Sequence, residues 1–87
     1  MRVMELKDIV PEHGQVFYLR KYTCNAVLEL PTSTETTPIF FSIETSPFGK
    51  KIIEISFLKP LNYPLIPVKK ALFEYILTEE MEGRLPQ

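Results

Sequence analysis

One turn constrains this 87-residue chain more than any other feature of its sequence. It reads Ser46-Pro47-Phe48-Gly49 and lies within the segment from Thr37 to Leu58, between two apolar runs. These residues suit a type I turn, because proline fixes φ at the second position and glycine tolerates a left-handed backbone at the fourth. The segment is therefore predicted to be a β-hairpin with Gly49 as its bulge residue.

The turn also fixes how the two strands pair. With Gly49 bulged, Ser46 pairs with Lys50, and three apolar pairs follow on one face: Ile43 with Ile53, Phe41 with Ile55, and Ile39 with Phe57. Phe40 and Ile52 interrupt the otherwise polar opposite face. A shift of one residue would bury serines and glutamates, so burial and turn chemistry predict the same register.

The C-terminal region is predicted to form one helix. Pro64 and Pro67 suit its first turn, where a missing N–H has no partner to lose, and Gly83 with Pro86 suits its end. One apolar stripe has the spacing needed to pack on the hairpin: Val68, Ala71, Leu72, Tyr75 and Ile76. A second apolar set lies to one side: Phe73, Leu77 and Met81. A single sheet does not cover so wide an arc, so we expect the N-terminal segment or another protein chain to cover the second set.

The rest of the chain is predicted from weaker patterns. Between Arg2 and Val10, apolar spacing fits a helix while the first residues fit an edge strand; we expect a short strand near Val3, then an irregular or helical turn that ends at Pro11. Pro11–Gln15 is predicted to be a turn. Residues 15–30 are rich in strand formers and change phase, which predicts a bulge or bend between Arg20 and Thr23. Residues 31–38 are predicted to be a polar loop.

These elements predict an α+β fold in the order β-β-β-β-α. An antiparallel sheet of three to four strands would carry the C-terminal helix on one face. The chain is short enough for residues 1–87 to form a single domain.

Composition excludes several classes of function. A net charge of −1 gives no general attraction to nucleic acid or to an anionic membrane. One cysteine cannot form an internal disulfide, and a single histidine leaves no cluster of metal ligands. Met1–Glu5 lacks the apolar core of a signal peptide, and no run approaches the ~18 apolar residues of a membrane span. We expect a cytoplasmic protein without a metal or a membrane partner.

His13 and Cys24 are the candidates for acid-base or nucleophilic chemistry. Cys24 shares its parity with apolar strand residues, which predicts an inert buried thiol, and His13 falls in a turn, which predicts a solvated ring. The 3 glycines are isolated, so no phosphate-binding loop is present. We therefore expect neither catalysis nor a cofactor.

The charges of the predicted helix oppose its dipole. Lysines lie near its start, at Lys69 and Lys70, and glutamates lie near its end: Glu79, Glu80 and Glu82. Two explanations are open. The glutamates pair within the monomer with Arg2, Arg20 or Arg84, or they form an acidic patch for a basic partner.

These features favour a small non-enzymatic module that binds protein, most simply itself as a homodimer. The predicted contact residues are Phe40, Ile52, Phe73, Leu77 and Met81. The alternative is a single-stranded nucleic-acid-binding domain, because aromatic and basic residues alternate from Phe17 onward. Its predicted contact residues are Tyr18, Arg20, Tyr22, Lys50 and Lys51.

Overall fold

The computed structural model describes residues 1–14, 16 and 18–86. These residues form four strands and one helix: β1 Arg2–Pro11, β2 Leu19–Glu29, β3 Thr34–Thr45, β4 Lys51–Phe57 and α1 Leu65–Met81. The strands form one antiparallel sheet in the order β1-β2-β3-β4. Helix α1 packs on one face of this sheet. The predicted β-β-β-β-α arrangement is confirmed.

The hairpin of β3 and β4 has the predicted register. All three apolar pairs are present: Ile43 with Ile53, Phe41 with Ile55, and Ile39 with Phe57. The Ser46 amide donates to the Lys50 carbonyl oxygen (2.8 Å), and the Gly49 amide donates to the Ser46 carbonyl oxygen (2.9 Å). Gly49 has φ 82°, the left-handed conformation that the turn requires.

The core lies between α1 and the sheet, and β2 and β3 supply most of its strand residues. They are Tyr22, Cys24, Ala26, Leu28, Ile39, Phe41 and Ile43, against Val68, Leu72 and Ile76 of α1. The apolar residues of β4 on this face are less covered: Ile53, Ile55 and Phe57 are only half-buried. The edge of the sheet at β4 is therefore incompletely enclosed.

Strand β1 is longer than predicted, and its helical alternative is wrong. Its pairing with β2 shifts twice, between Val3 and Glu5 and between Lys7 and Val10. Each shift adds one residue to β1, so the inward side chains recur every third residue instead of every second: Val3, Leu6 and Ile9. These two bulges produce the spacing that resembles a helix. Asp8, in the second bulge, has φ 55°.

Two other predictions about the strands are wrong. No register shift interrupts β2, which pairs with β3 continuously from Leu19 to Glu29, so the bend predicted between Arg20 and Thr23 is absent. Strand β3 begins at Thr34, inside the predicted loop of residues 31–38. Pro38 fits this strand because its carbonyl oxygen accepts from the Leu58 amide, just beyond the end of β4 (3.1 Å). Gln15, the end of the predicted turn, lies outside the described residues.

The helix begins and ends as its prolines and glycine predict. Pro64 precedes the first helical residue, and Pro67 lies in the first turn. At the other end Gly83 has φ 70°. The Gly83 amide donates to the Glu80 carbonyl oxygen (3.2 Å) and the Arg84 amide donates to that of Glu79 (2.9 Å), which together form a Schellman motif.

Candidate interaction surfaces

The predicted contact residues lie on two opposite sides of the protein. Phe40 and Ile52 lie on the sheet face that α1 does not cover, since the alternate residues of β3 and β4 face the core. Phe73, Leu77 and Met81 lie on the outer side of α1. The structure therefore does not bring the five residues together, and one contact with one partner uses one set or the other.

The outer side of α1 carries the larger exposed apolar surface. Four residues form it, here called the helix stripe: Ile66, Phe73, Leu77 and Met81. Ile66 is 84% exposed, Phe73 38% and Met81 77%, while Leu77 is half-buried. The sequence analysis missed Ile66, although it precedes Phe73 by two helical turns and so lies on the same side.

The uncovered sheet face is a mixed surface. Phe40 is half-buried and Ile52 is 40% exposed. Both line a shallow depression of about 320 Å³, together with the acidic residues Glu44 and Glu54. The two apolar side chains are separated by polar neighbours, because Ile52 pairs with Glu44 across the sheet. This face offers less continuous apolar area than the helix stripe.

Glu80 joins the end of α1 to the sheet. Its carboxylate accepts hydrogen bonds from Arg20 at the start of β2 and from Lys51 at the start of β4, the latter at 3.0 Å. The Glu80 side chain is only 11% exposed. Desolvation acts to raise the pKa of Glu80, but the hydrogen bonds from Arg20 and Lys51 outweigh it and lower that pKa. The carboxylate is therefore held in its charged form.

Arg20 also connects to the C-terminal tail through Tyr22. Its guanidinium donates to the Tyr22 hydroxyl oxygen (3.2 Å), and that hydroxyl donates to the Pro86 carbonyl oxygen (2.9 Å). The hydrogen bond to Glu80 raises the pKa of Arg20. The helix end, the tail and two strands thus share one polar network beside the core.

The other acidic residues at the helix end pair with Arg84. Its guanidinium donates to Glu79 (3.0 and 2.9 Å) and to Glu82 (2.8 Å). Arg2 instead pairs with Glu29 on β2 (3.5 Å). The explanation by pairing within the monomer is therefore correct for Arg20 and Arg84 and wrong for Arg2. All three glutamates of the predicted acidic patch have cationic partners.

The predicted nucleic-acid contacts are divided between the core and the surface. Tyr22 is 1% exposed and stacks on Phe41, with ring centroids 5.0 Å apart. Arg20 and Lys51 both donate to Glu80. Tyr18 and Lys50 are exposed, whereas Phe17 lies outside the described residues. The structure therefore does not assemble these residues into one aromatic and basic surface.

Cys24 and His13 occupy different environments. Cys24 is 5% exposed in the core, and burial raises the pKa of its thiol to about 12. His13 is exposed in the turn after β1. A thiol that stays protonated in an apolar setting is a poor nucleophile.

In the part of the chain that the structure describes, no helix is both long enough and apolar enough to cross a membrane. Comparison with curated proteins and with solved structures gave no match. Comparison with protein families did give one, and the matching family model covers residues 1–79 of the 87. This chain therefore belongs to the BB_0187 family.

Proposed function

We propose that this protein is a non-enzymatic module that acts by binding protein, and that its partner is a second copy of the same chain. The observation that carries the proposal is the helix stripe, whose apolar side chains face away from the core. Large apolar residues grouped on one side of a surface helix are typical of protein contacts. A single cysteine without a disulfide partner fits a reducing compartment, so the proposal places the protein in the cytoplasm.

The charges along α1 support a second copy as the partner. The first half of the helix carries Lys69 and Lys70, for which no ion pair is present among the described residues. The later part carries Glu74, Glu79 and Glu82. If two copies of α1 cross in antiparallel directions, the basic half of each helix faces the more acidic half of the other. The order that opposes the helix dipole then favours the dimer.

The absence of catalysis is part of the proposal. It is supported by the buried thiol of Cys24 and by the separation of Cys24 from the turn that carries His13. The nucleic-acid alternative has weaker support, since Glu80 already pairs with two of its cations and Tyr22 is in the core.

Light scattering of two matched variants tests the proposed contact. Phe73→Lys places a cation in the helix stripe, and Thr78→Lys places the same cation at an exposed position of the same helix outside the stripe. We expect Phe73→Lys to weaken the dimer about tenfold or more and Thr78→Lys to leave it nearly unchanged. Circular dichroism checks that both variants remain folded. Equal effects of the two substitutions would contradict a contact through the stripe.

A further inference from the structure

The two edges of the sheet differ in how they could pair with another strand. The β1 edge has two bulges, a left-handed residue at Asp8 and a proline at its end, Pro11. Such irregularities prevent a further strand from pairing. Strand β4 has none of them and pairs with β3 without a shift from Lys51 to Phe57. Only the β4 edge is therefore suited to receive a strand.

The hydrogen bonds of β4 show which backbone groups face outward. At the two ends of its ladder, the carbonyl oxygen of Lys50 and the amide of Leu58 bond to β3. In an antiparallel pair, alternate residues bond to the same neighbour. The even-numbered residues therefore bond to β3, while the N–H and C=O groups of Ile53, Ile55 and Phe57 face outward. No strand among the described residues pairs with that edge.

The side chains of these three residues are also incompletely covered. They lie on the face of the sheet that α1 covers, yet they are half-buried, whereas their partners on β3 are at most 1% exposed. Both the backbone edge and the apolar row of β4 thus lack a neighbour at the same place.

We propose that β4 of a second copy pairs antiparallel with this edge and joins the two sheets into one of eight strands. The proposal rests on the proposed function, which supplies the second copy, and it specifies how that copy binds. With Ile55 on the twofold axis, Ile53 lies opposite Phe57 of the partner subunit, so the apolar rows continue across the boundary. Glu54 then lies opposite Ser56 of the partner subunit. A register centred on Glu54 would place two carboxylates face to face.

The same arrangement brings the helices together. Pairing within one sheet keeps both copies of α1 on the same face, in opposite directions. Phe73 lies two turns before Glu80 and so on the same flank of the helix, and Glu80 contacts Lys51 of β4. Phe73 therefore faces the new boundary. Because the β1 edge is blocked, the assembly closes at two copies and does not extend into a filament.

Amide hydrogen exchange on the unmodified protein, followed residue by residue by NMR, tests this pairing with an internal control. The amides of Ile52, Glu54 and Ser56 bond to β3 and should be protected in monomer and dimer alike. Those of Ile53, Ile55 and Phe57 should exchange rapidly in dilute monomer and at least about tenfold more slowly at concentrations where light scattering shows a dimer.

Two results would overturn the inference and are distinguishable. A dimer in which the three outward amides still exchange rapidly would exclude the β4 edge while leaving self-association intact. A monomer at every concentration would remove both the pairing and the proposed function.

Discussion

Arg20 of β2 and Glu80 of α1 form an ion pair between residues 60 positions apart in sequence. Both side chains are mostly buried, at 16% and 11% exposure. Lys51 of β4 donates to the same carboxylate. The pair therefore holds the end of the helix against two strands, next to the core and at the opposite end of α1 from Pro64.

Glu80→Gln should destabilise the protein. The substitution keeps the size of the side chain but removes the charge that Arg20 and Lys51 contact, which should cost about 1–3 kcal/mol of unfolding free energy at pH 7. Urea denaturation measures the change. Glu74→Gln, at an exposed position of the same helix, is the control and should have little effect. Equal effects of the two substitutions would show that the pair contributes nothing specific.

The stability of the wild-type protein should fall in acid partly through Glu80. Its pKa is lower in the folded protein than the ordinary 4.5 of a glutamate. Its contribution is therefore complete above the unfolded pKa and is lost as the pH falls through the folded pKa. Denaturation at a series of pH values below about 4.5 should show a steeper loss for the wild type than for Glu80→Gln. Parallel curves would contradict a lowered pKa.

Tyr22→Phe should separate the hydroxyl of Tyr22 from its ring. The ring can remain stacked on Phe41, but the hydrogen bonds with Arg20 and Pro86 are lost. We expect a loss of about 1 kcal/mol in unfolding free energy. Tyr18→Phe, which changes a tyrosine that is 55% exposed, serves as the control. A stable Tyr22→Phe variant would mean that the tail is not held through this hydroxyl.

The Cys24 thiol should be unreactive in the folded protein. Burial among apolar side chains raises its pKa to about 12, so little thiolate forms at pH 8. Labelling with a chromogenic disulfide reagent should be slow in buffer and rapid in guanidinium chloride. Stoichiometric labelling at the same rate in both conditions would show that the thiol is accessible in the native state.

Local patterns were sufficient to predict the hairpin and the helix. In the hairpin, the turn at Gly49 and the alternation of apolar residues predict the same register, and no other part of the chain is needed to define it. The ends of α1 likewise depend on residues close in sequence, Pro64 and Gly83. These are the parts of the fold where local preference and tertiary packing agree.

The misassigned segments have specific physical causes. In β1, two bulges place Val3, Leu6 and Ile9 at a helical spacing within a strand. In β2, the apparent change of phase is the point where the strand begins, at Leu19, and not a bend within it. The parity of Cys24 extends back to Tyr22, which identifies Tyr22 as a core residue and not a surface aromatic.

Long-range relationships were beyond the sequence patterns. The pairing of Glu80 with Arg20 was one of several alternatives, because it depends on where the helix end meets the sheet. The division of the contact residues between two sides was not predicted. Phe40 follows the alternation of a strand and Phe73 the period of a helix, and neither pattern relates the two elements in space.

Sedimentation equilibrium of the unmodified chain over a range of concentrations tests self-association most directly. The chain has a mass of 10.1 kDa. We predict an apparent mass that rises with concentration and reaches a plateau at twice this value, since the β4 edge and the helix stripe are used once in a closed pair. A mass that stays at 10.1 kDa up to the highest concentration would contradict self-association.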